Sequence, residues 1–272
     1  MKTALRGASV VITGGGSGLG RRMALEAARR GAVVTIWDLA LDSAEAVRDE
    51  IVAQGGSARA VRVNVADREQ VAEAARGTGP VDVVINNAGI VTGASLLEAS
   101  DAQIERTFAV NTLALYWVTR AFLGGMTERG RGTVVTIASA AGLVGVAKQT
   151  DYSASKFAAV GFTESLRNEL RTQGSPIRTL IVCPYYIDTG MFEGVETRFP
   201  RLLPILKEAE VARRIVDGIE SGREQLIMPW LARVMPATRA LPVRAFDRTM
   251  DFFGINHTMD HFTGRAGVRK ES

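Results

Sequence analysis

Two side chains four residues apart, Tyr152 and Lys156, carry the strongest chemical signal in the chain. On a helix that spacing puts both on one face. A tyrosine phenol ordinarily loses its proton near pH ~10, too high to accept one from an alcohol in neutral water. A close ammonium favours the phenolate and would lower that value. Taken alone, the pair also suits an ordinary solvated helix face, so its chemistry depends on what surrounds it.

A second signal lies at the start of the chain, where Thr13 to Gly20 reads TGGGSGLG. Glycines allow a tight turn and let backbone N–H groups approach a pyrophosphate at a helix N-terminus. The turn does not match G-x-G-x-x-G, because Leu19 stands where the last glycine belongs. It matches T-G-x-x-x-G-x-G, with Gly14, Gly18 and Gly20 in the fixed positions and Ser17 and Leu19 between them. A flexible loop would also be glycine-rich; position between a strand run and a helix pattern favours a dinucleotide. Asp38 ends the second strand run, where a carboxylate would bond both ribose hydroxyls and repel a 2′-phosphate. With no Lys or Arg inside the loop, NAD(H) is expected over NADP(H).

The elements that must position these residues alternate. Short β-branched runs (Ser9–Thr13, Val33–Trp37, Ala60–Val65, Val81–Ile85, Thr133–Ala138, Ile177–Cys183, Gln225–Met228) are separated by helical patterns. Those patterns are Leu19–Arg30, Ser43–Gln54, Arg68–Arg76, Ala102–Met126, Ser153–Thr172 and Glu208–Ser221. Nearly continuous Val and Ile predicts strands covered on both faces. The alternation predicts an α/β chain: a Rossmann-type doubly wound parallel sheet of about seven strands flanked by helices. One domain is expected over residues 1–272. Residues 185–207, rich in Gly, Pro and aromatics, read as a substrate lid, and residues 230–272 as an irregular extension.

From Thr13 onward the chain resembles the short-chain dehydrogenase/reductase family, over almost its whole length. Asn86-Asn87-Ala88-Gly89 is similar to that family's NNAG motif, and Asn64-Val65 stands where the family usually has Asp-Val beside the adenine ring. The resemblance implies a catalytic set of Asn111, Ser139, Tyr152 and Lys156. In it Tyr152 transfers the proton, Ser139 holds the substrate oxygen and Asn111 orders a water that links Lys156 to solvent. Hydride transfer to or from the nicotinamide belongs to the cofactor. Pro184-Tyr185-Tyr186-Ile187-Asp188-Thr189 resembles the family's P-G-x-V-x-T segment, so Pro184, Ile187 and Thr189 are expected at the carboxamide end. Tyr185 replaces a glycine there and would be strained if that position needed a positive φ.

The segments Cys183–Gly194 and Gly254–Arg265 resemble the branch holding retinol dehydrogenases and 17β-hydroxysteroid dehydrogenase-like enzymes. That branch implies a lipophilic alcohol or ketone (sterol, retinoid or long-chain alcohol), with Ser139, Leu143, Val144, Tyr185, Tyr186, Met191 and Phe192 as pocket residues. The same apolar residues would also suit packing in a lid or an oligomer contact. A 3-ketoacyl-type reductase of the same family is less favoured, given Asp38 and the long extension. A catalytically silent NAD-binding sensor or scaffold would be expected to lack one of the four catalytic residues.

Composition narrows the rest. A formal charge of +4 without any block of like charges does not suggest nucleic acid. One cysteine, Cys183, rules out an internal disulfide and fits a reducing compartment; its apolar setting suggests core. No leader pattern or apolar run of membrane-spanning length is evident, so a cytoplasmic relative without an N-terminal anchor is expected. Trp230–Phe253 mixes Arg with apolar residues and could touch a membrane surface peripherally, although its prolines spoil a continuous amphipathic helix. His257 and His261 lack a third ligand at metal spacing, so no metal is expected. The resemblance implies a homodimer or homotetramer through the two long helices.

Overall fold

A computed structural model describes residues 3–264. Seven parallel strands form one sheet: β1 (Ser9–Thr13), β2 (Val33–Asp38), β3 (Ser57–Arg62), β4 (Val83–Asn86), β5 (Thr133–Ile137), β6 (Arg178–Pro184) and β7 (Gln225–Met228). Their spatial order is β3-β2-β1-β4-β5-β6-β7, so the winding reverses between β1 and β4. In such sheets the reversal opens a crevice at the carboxyl ends of the strands, where ligands bind.

Helices cover both faces, as the Val- and Ile-rich strands require. On one face α1 (Gly18–Arg29), α2 (Leu41–Ala53) and α7 (Glu208–Ser221) bury Met23, Val47 and Ile215 against Val10, Ile36 and Val182. On the other, α3 (Arg68–Thr78), α5 (Ala114–Arg129) and α6 (Thr150–Thr172) bury Val71, Phe122 and Leu166 against Val11, Val84 and Val134. A third cluster gathers Tyr152, Tyr186, Met235 and Ile255 beyond the strand ends.

Three differences from the expected elements matter. The run at Ala60–Val65 pairs earlier, as Ser57–Arg62, because β3 is an edge strand whose register ends at Asp38↔Arg62. Val63 N–H then bonds the Asp38 carbonyl and the chain turns, freeing Asn64 and Val65 for the crevice. The long helix at Ala102–Met126 is broken: α4 (Asp101–Phe108) and α5 are joined by a π-helical turn, Ala109–Leu113, centred on Asn111. The extension expected to be irregular contains a 3-10 turn at Trp230–Val234 and two helices, α8 (Met235–Thr238) and α9 (Val243–Phe252). Pro236 sits in the first turn of α8 and Pro242 caps α9, positions where a missing N–H costs nothing. Arg265, the last residue of the Gly254–Arg265 run, and the tail after it lie outside the described residues.

The segment after β6 is an excursion zipped at its base. Ile187 bridges Leu206 in parallel, Leu206 N–H bonds the Tyr186 carbonyl and Asp188 N–H bonds the Leu206 carbonyl. Tyr185 carries no positive φ; its N–H continues the ladder to the Met228 carbonyl at 2.8 Å, so the anticipated strain does not arise. Among the described residues the one non-glycine with positive φ is Lys148.

Candidate active site

A cavity of about 890 Å³ runs along the carboxyl ends of the strands. At one end it is shaped by main chain. A Cβ on Gly20 would fall on the Gly14 carbonyl oxygen, and one on Gly14 would come within 2.9 Å of Ala88 Cα. Asn87 clamps this turn: its Nδ2 donates to the carbonyls of Thr13 at 2.9 Å and Gly14 at 3.0 Å. Thr13 Oγ1 in turn accepts the N–H groups of Asn87 and Ala88. The Asp38 carboxylate accepts from Gly16 N–H at 2.8 Å and Ala40 N–H at 3.0 Å. A side chain at Gly16 would begin 2.9 Å from that carboxylate, so the loop stays bare beside it. Arg21 and Arg22, the next cations, are ion-paired with Glu50 and Glu208.

These residues fit a nicotinamide dinucleotide: an open helix N-terminus, closely approachable glycines, and an acid at the end of β2. The expected cofactor-side residues, from Gly14, Ser17, Gly18, Leu19 and Gly20 to Asp38, Asn64 and Val65, all lie on the cavity wall. So do Asn87, Ala88, Gly89, Pro184, Ile187 and Thr189.

Tyr152 and Lys156 project from the first turns of α6 into the same cavity, both almost wholly buried. Lys156 Nζ donates to the Ile137 carbonyl at 2.9 Å and lies 5.7 Å from the centre of the Tyr152 ring. Ser139 Oγ accepts the Ala141 N–H at 3.1 Å, capping a short 3-10 turn, and shares the cavity wall with Tyr152. Gly89 leaves room for two groups, since a Cβ there would stand 3.3 Å from Asn111 Oδ1 and 3.4 Å from Lys156 Nζ. Asn111 lies behind the wall. Its Nδ2 donates to the Ile90 carbonyl and to Ser155 Oγ, and its Oδ1 accepts the Ile90 N–H, so it buckles the β4 loop onto α6.

Burial governs the electrostatics here. Loss of solvent pushes the Tyr152 phenol above its ordinary range, with the nearby Ser139 hydroxyl working the other way. The same burial pushes Lys156 down to about 8. The expected lowering of Tyr152 by Lys156 is therefore overridden in this state: the ammonium is itself desolvated and turned to the Ile137 carbonyl. Cys183 is core, as expected, its thiol pushed up to about 12 by burial.

At the other end the walls are side chains. Ser139, Val144, Tyr185, Tyr186, Met191 and Phe192 line the cavity. Phe192 meets Tyr152 and Tyr186 edge-on, with ring centres 5.7 and 5.0 Å apart. Leu143 does not line it: the residue closes the 3-10 turn and packs into the neighbouring apolar cluster, its carbonyl taken by Arg239. Gln149, Arg106, Met235 and Ile255 line the cavity without having been anticipated. Met235 and Ile255 come from the extension, where no motif flags them. Asp151 was missed too. It is buried beside Tyr152 and accepts hydrogen bonds from Thr92 and Thr107; its one signal is an acid in the first turn of a helix. Among the described residues no group of three or more metal-ligating side chains is gathered, and His257 pairs with Asp260 at 3.1 Å.

The family model for short chain dehydrogenases matches residues 8–198, a span that contains the glycine turn, Ser139, Tyr152 and Lys156. The chain belongs to the short-chain dehydrogenases. Within that family it is 41% identical to epidermal retinol dehydrogenase 2 of Mus musculus over 95% of this chain and 86% of the relative. It is 36% identical to 17-beta-hydroxysteroid dehydrogenase 13 of Homo sapiens, over 90% and 82%. It thus falls in the retinol and steroid dehydrogenase branch. A solved short-chain dehydrogenase/reductase from Burkholderia phymatum, in complex with NAD, superposes with a TM-score of 0.79 at 27% identity, covering 91% of this chain and 96% of that one. A metagenomic short-chain oxidoreductase in complex with NADP gives 0.68 at 27% identity, covering 83% and 96%. No helix among the described residues is long and apolar enough to cross a membrane.

Proposed function

We propose that this short-chain dehydrogenase interconverts a lipophilic alcohol and its ketone or aldehyde with NAD(H), using Tyr152 as the proton-transfer residue. The observation that carries this reading is the placement of Tyr152 and Ser139 together on the wall of one cavity whose lining joins a glycine turn to aromatic side chains. Bound in this cleft, a nicotinamide dinucleotide would supply the hydride acceptor or donor. Ser139 orients the substrate oxygen towards Tyr152. The phenol, kept neutral by burial, is set to donate its proton to a carbonyl oxygen; in the reverse direction the alcohol's proton would pass to the phenolate, the form that a charged Lys156 favours. Lys156 holds positive charge beneath it. Both amide hydrogens of Asn111 are committed, so a relay water at this turn would be held by its other atoms.

Asp38 beside a bare loop favours NAD over NADP, and the aromatic and aliphatic far wall favours a sterol, retinoid or long-chain alcohol. Trp230, Val243 and Phe252 stand exposed among Arg233, Arg244 and Arg248, which suits peripheral contact with an anionic membrane carrying such a substrate. Exposed Leu113 and Tyr116, the latter edge-on to Phe162 of α6, suit a homodimer or homotetramer contact. The deciding experiment follows NADH and NADPH absorbance with sterols, retinol, aliphatic alcohols and small polyols. Turnover with NAD and lipophilic alcohols supports the reading; turnover confined to NADP or to small polyols overturns its cofactor or its substrate half.

A further inference from the structure

Gln149 stands three residues before Tyr152, wholly buried, in the cavity wall near Val144, Val146 and Tyr186. The hydrogen-bond protons around it can be followed one by one. Thr258 Oγ1 donates to the Ile255 carbonyl at 2.9 Å, so it has no proton left for the Tyr186 phenol, 2.8 Å away. Tyr186 therefore donates to Thr258, and its oxygen accepts from Gln149 Nε2 at 3.1 Å. That order fixes the amide. Its nitrogen faces Tyr186, and its carbonyl oxygen Oε1 has no hydrogen-bond partner. A buried carbonyl without a donor is uncommon and costly, and it invites a donor from whatever occupies the cavity.

We propose that Gln149 Oε1 accepts a hydrogen bond from a second hydroxyl of the substrate, so that the preferred substrate is a hydroxylated lipophile, a diol, instead of an alcohol bearing the reacting hydroxyl alone. This rests on the alcohol-oxidising reading of the cavity. The reacting oxygen cannot be the donor. As an alcohol it has one proton, which passes to Tyr152, and as a carbonyl it has none. The donor must come from another group on the same molecule. Val144, Val146, Met191, Phe192, Met235 and Ile255 line the same cavity, and a second hydroxyl lying against those side chains would lose its hydration with little return. Gln149 is thus a specificity-determining residue, held in one orientation by Tyr186 and, through it, by Thr258 of the extension.

The test uses pairs of lipophilic alcohols that differ by one remote hydroxyl, with kcat/KM measured on the wild type and on Gln149→Leu. Ligand-induced Tm shifts for the same pairs give a readout independent of turnover. The wild type is expected to prefer the diol by about tenfold or more, and Gln149→Leu to bring that ratio to about one, mainly through KM. The diol should also raise the Tm of the wild type more than its partner does, a difference lost in the variant. No preference in the wild type, or an equal fall for both members of each pair in Gln149→Leu, overturns the proposal and leaves Gln149 as a prop for Tyr186. If no alcohol is oxidised, the broader enzymatic reading fails; the Tm arm then decides Gln149 alone, a diol-specific shift lost in Gln149→Leu upholding it and its absence overturning it.

Discussion

The two ends of the cavity are built differently. At the cofactor end the surface is main chain: glycines that no Cβ could replace, N–H groups, and an Asn87 amide spent on holding two carbonyls in place. At the substrate end the surface is side chains brought from far apart, with Gln149, Tyr186 and Thr258 joined across 37 and 72 residues of sequence. A site made of backbone tolerates little change, because any added atom meets something that cannot move. A site made of side chains can be retuned one residue at a time. Fixed geometry at one end and adjustable specificity at the other follow from that difference, with Tyr152 and Lys156 at the seam.

The largest expected effect lies at the seam. Tyr152→Phe removes the oxygen proposed to exchange a proton with the substrate, and kcat should fall by about 10³-fold or more, while NADH binding measured by fluorescence changes little. Retained turnover would remove Tyr152 from the chemistry and leave the two ends without a working junction. Lys156 gives the next largest effect, in stability. In the unfolded chain its ammonium keeps its proton to near 10.5, whereas the folded chain releases it at about 8. Between those values the unfolded state binds more protons, so stability rises with pH; below about 8 both states are protonated and the burial penalty stands in full. Relative to Lys156→Met, the wild type should therefore gain about 3 kcal/mol between neutral pH and pH ~10.5 in denaturant titrations. A difference that stays flat with pH would mean that the buried lysine remains charged throughout. Subtracting the variant matters, because Tyr152, Tyr185 and Cys183 are all pushed up by burial and take stability away at the alkaline end.

The same contrast explains what could be read from the sequence. Parallel strands buried on both faces leave unbroken Val and Ile runs, so the sheet was legible almost strand by strand. The edge strand β3 was misplaced because it is covered less and its apolar residues run on into the crevice at Val63 and Val65. The cofactor end was legible because its parts are contiguous: a glycine turn, an acid at a strand end, an Asn-Asn-Ala-Gly loop. The substrate end was legible only where it abuts those parts. Leu143 and Val144 look alike in sequence, yet the 3-10 turn at Ala140–Gly142 sends only Val144 to the cavity. Gln149 and Ile255 carry no local pattern, since their positions depend on where the extension folds back. The π-helical turn at Asn111 was hidden by a helical periodicity that continues on both sides of it.

Gly20 separates the two ends more sharply. Gly20→Ala would drive a Cβ onto the Gly14 carbonyl, and relief requires moving the turn that Asn87 holds. A loss of about 1–3 kcal/mol in stability is expected, with a matching fall in dinucleotide affinity. Binding of a lipophilic alcohol, read by its Tm shift, should survive. If both ligands were lost together, the ends would not be independent and the comparison would fail.

The smallest effect, and the finest test of the cofactor end, is at Asp38. Asp38→Asn removes the charge and keeps a carbonyl oxygen for the Gly16 N–H, while the Ala40 N–H loses its acceptor, since an amide nitrogen cannot replace the second carboxylate oxygen. What changes for the dinucleotide is the repulsion of a 2′-phosphate. The ratio of kcat/KM for NADP to that for NAD should rise about tenfold, equivalent to about 1.4 kcal/mol, with most of the change in KM for NADP. A further tenfold rise is not expected. Arg21 and Arg22 are paired with Glu50 and Glu208, and the cation in register with Asp38, Arg62 on β3, is exposed and does not line the cavity. Raising the salt concentration should then trim the gain, because any help from Arg62 acts through solvent. An unchanged ratio in Asp38→Asn would mean that backbone shape, and not the carboxylate's charge, selects the dinucleotide. Selectivity at that end would then be a main-chain property in full.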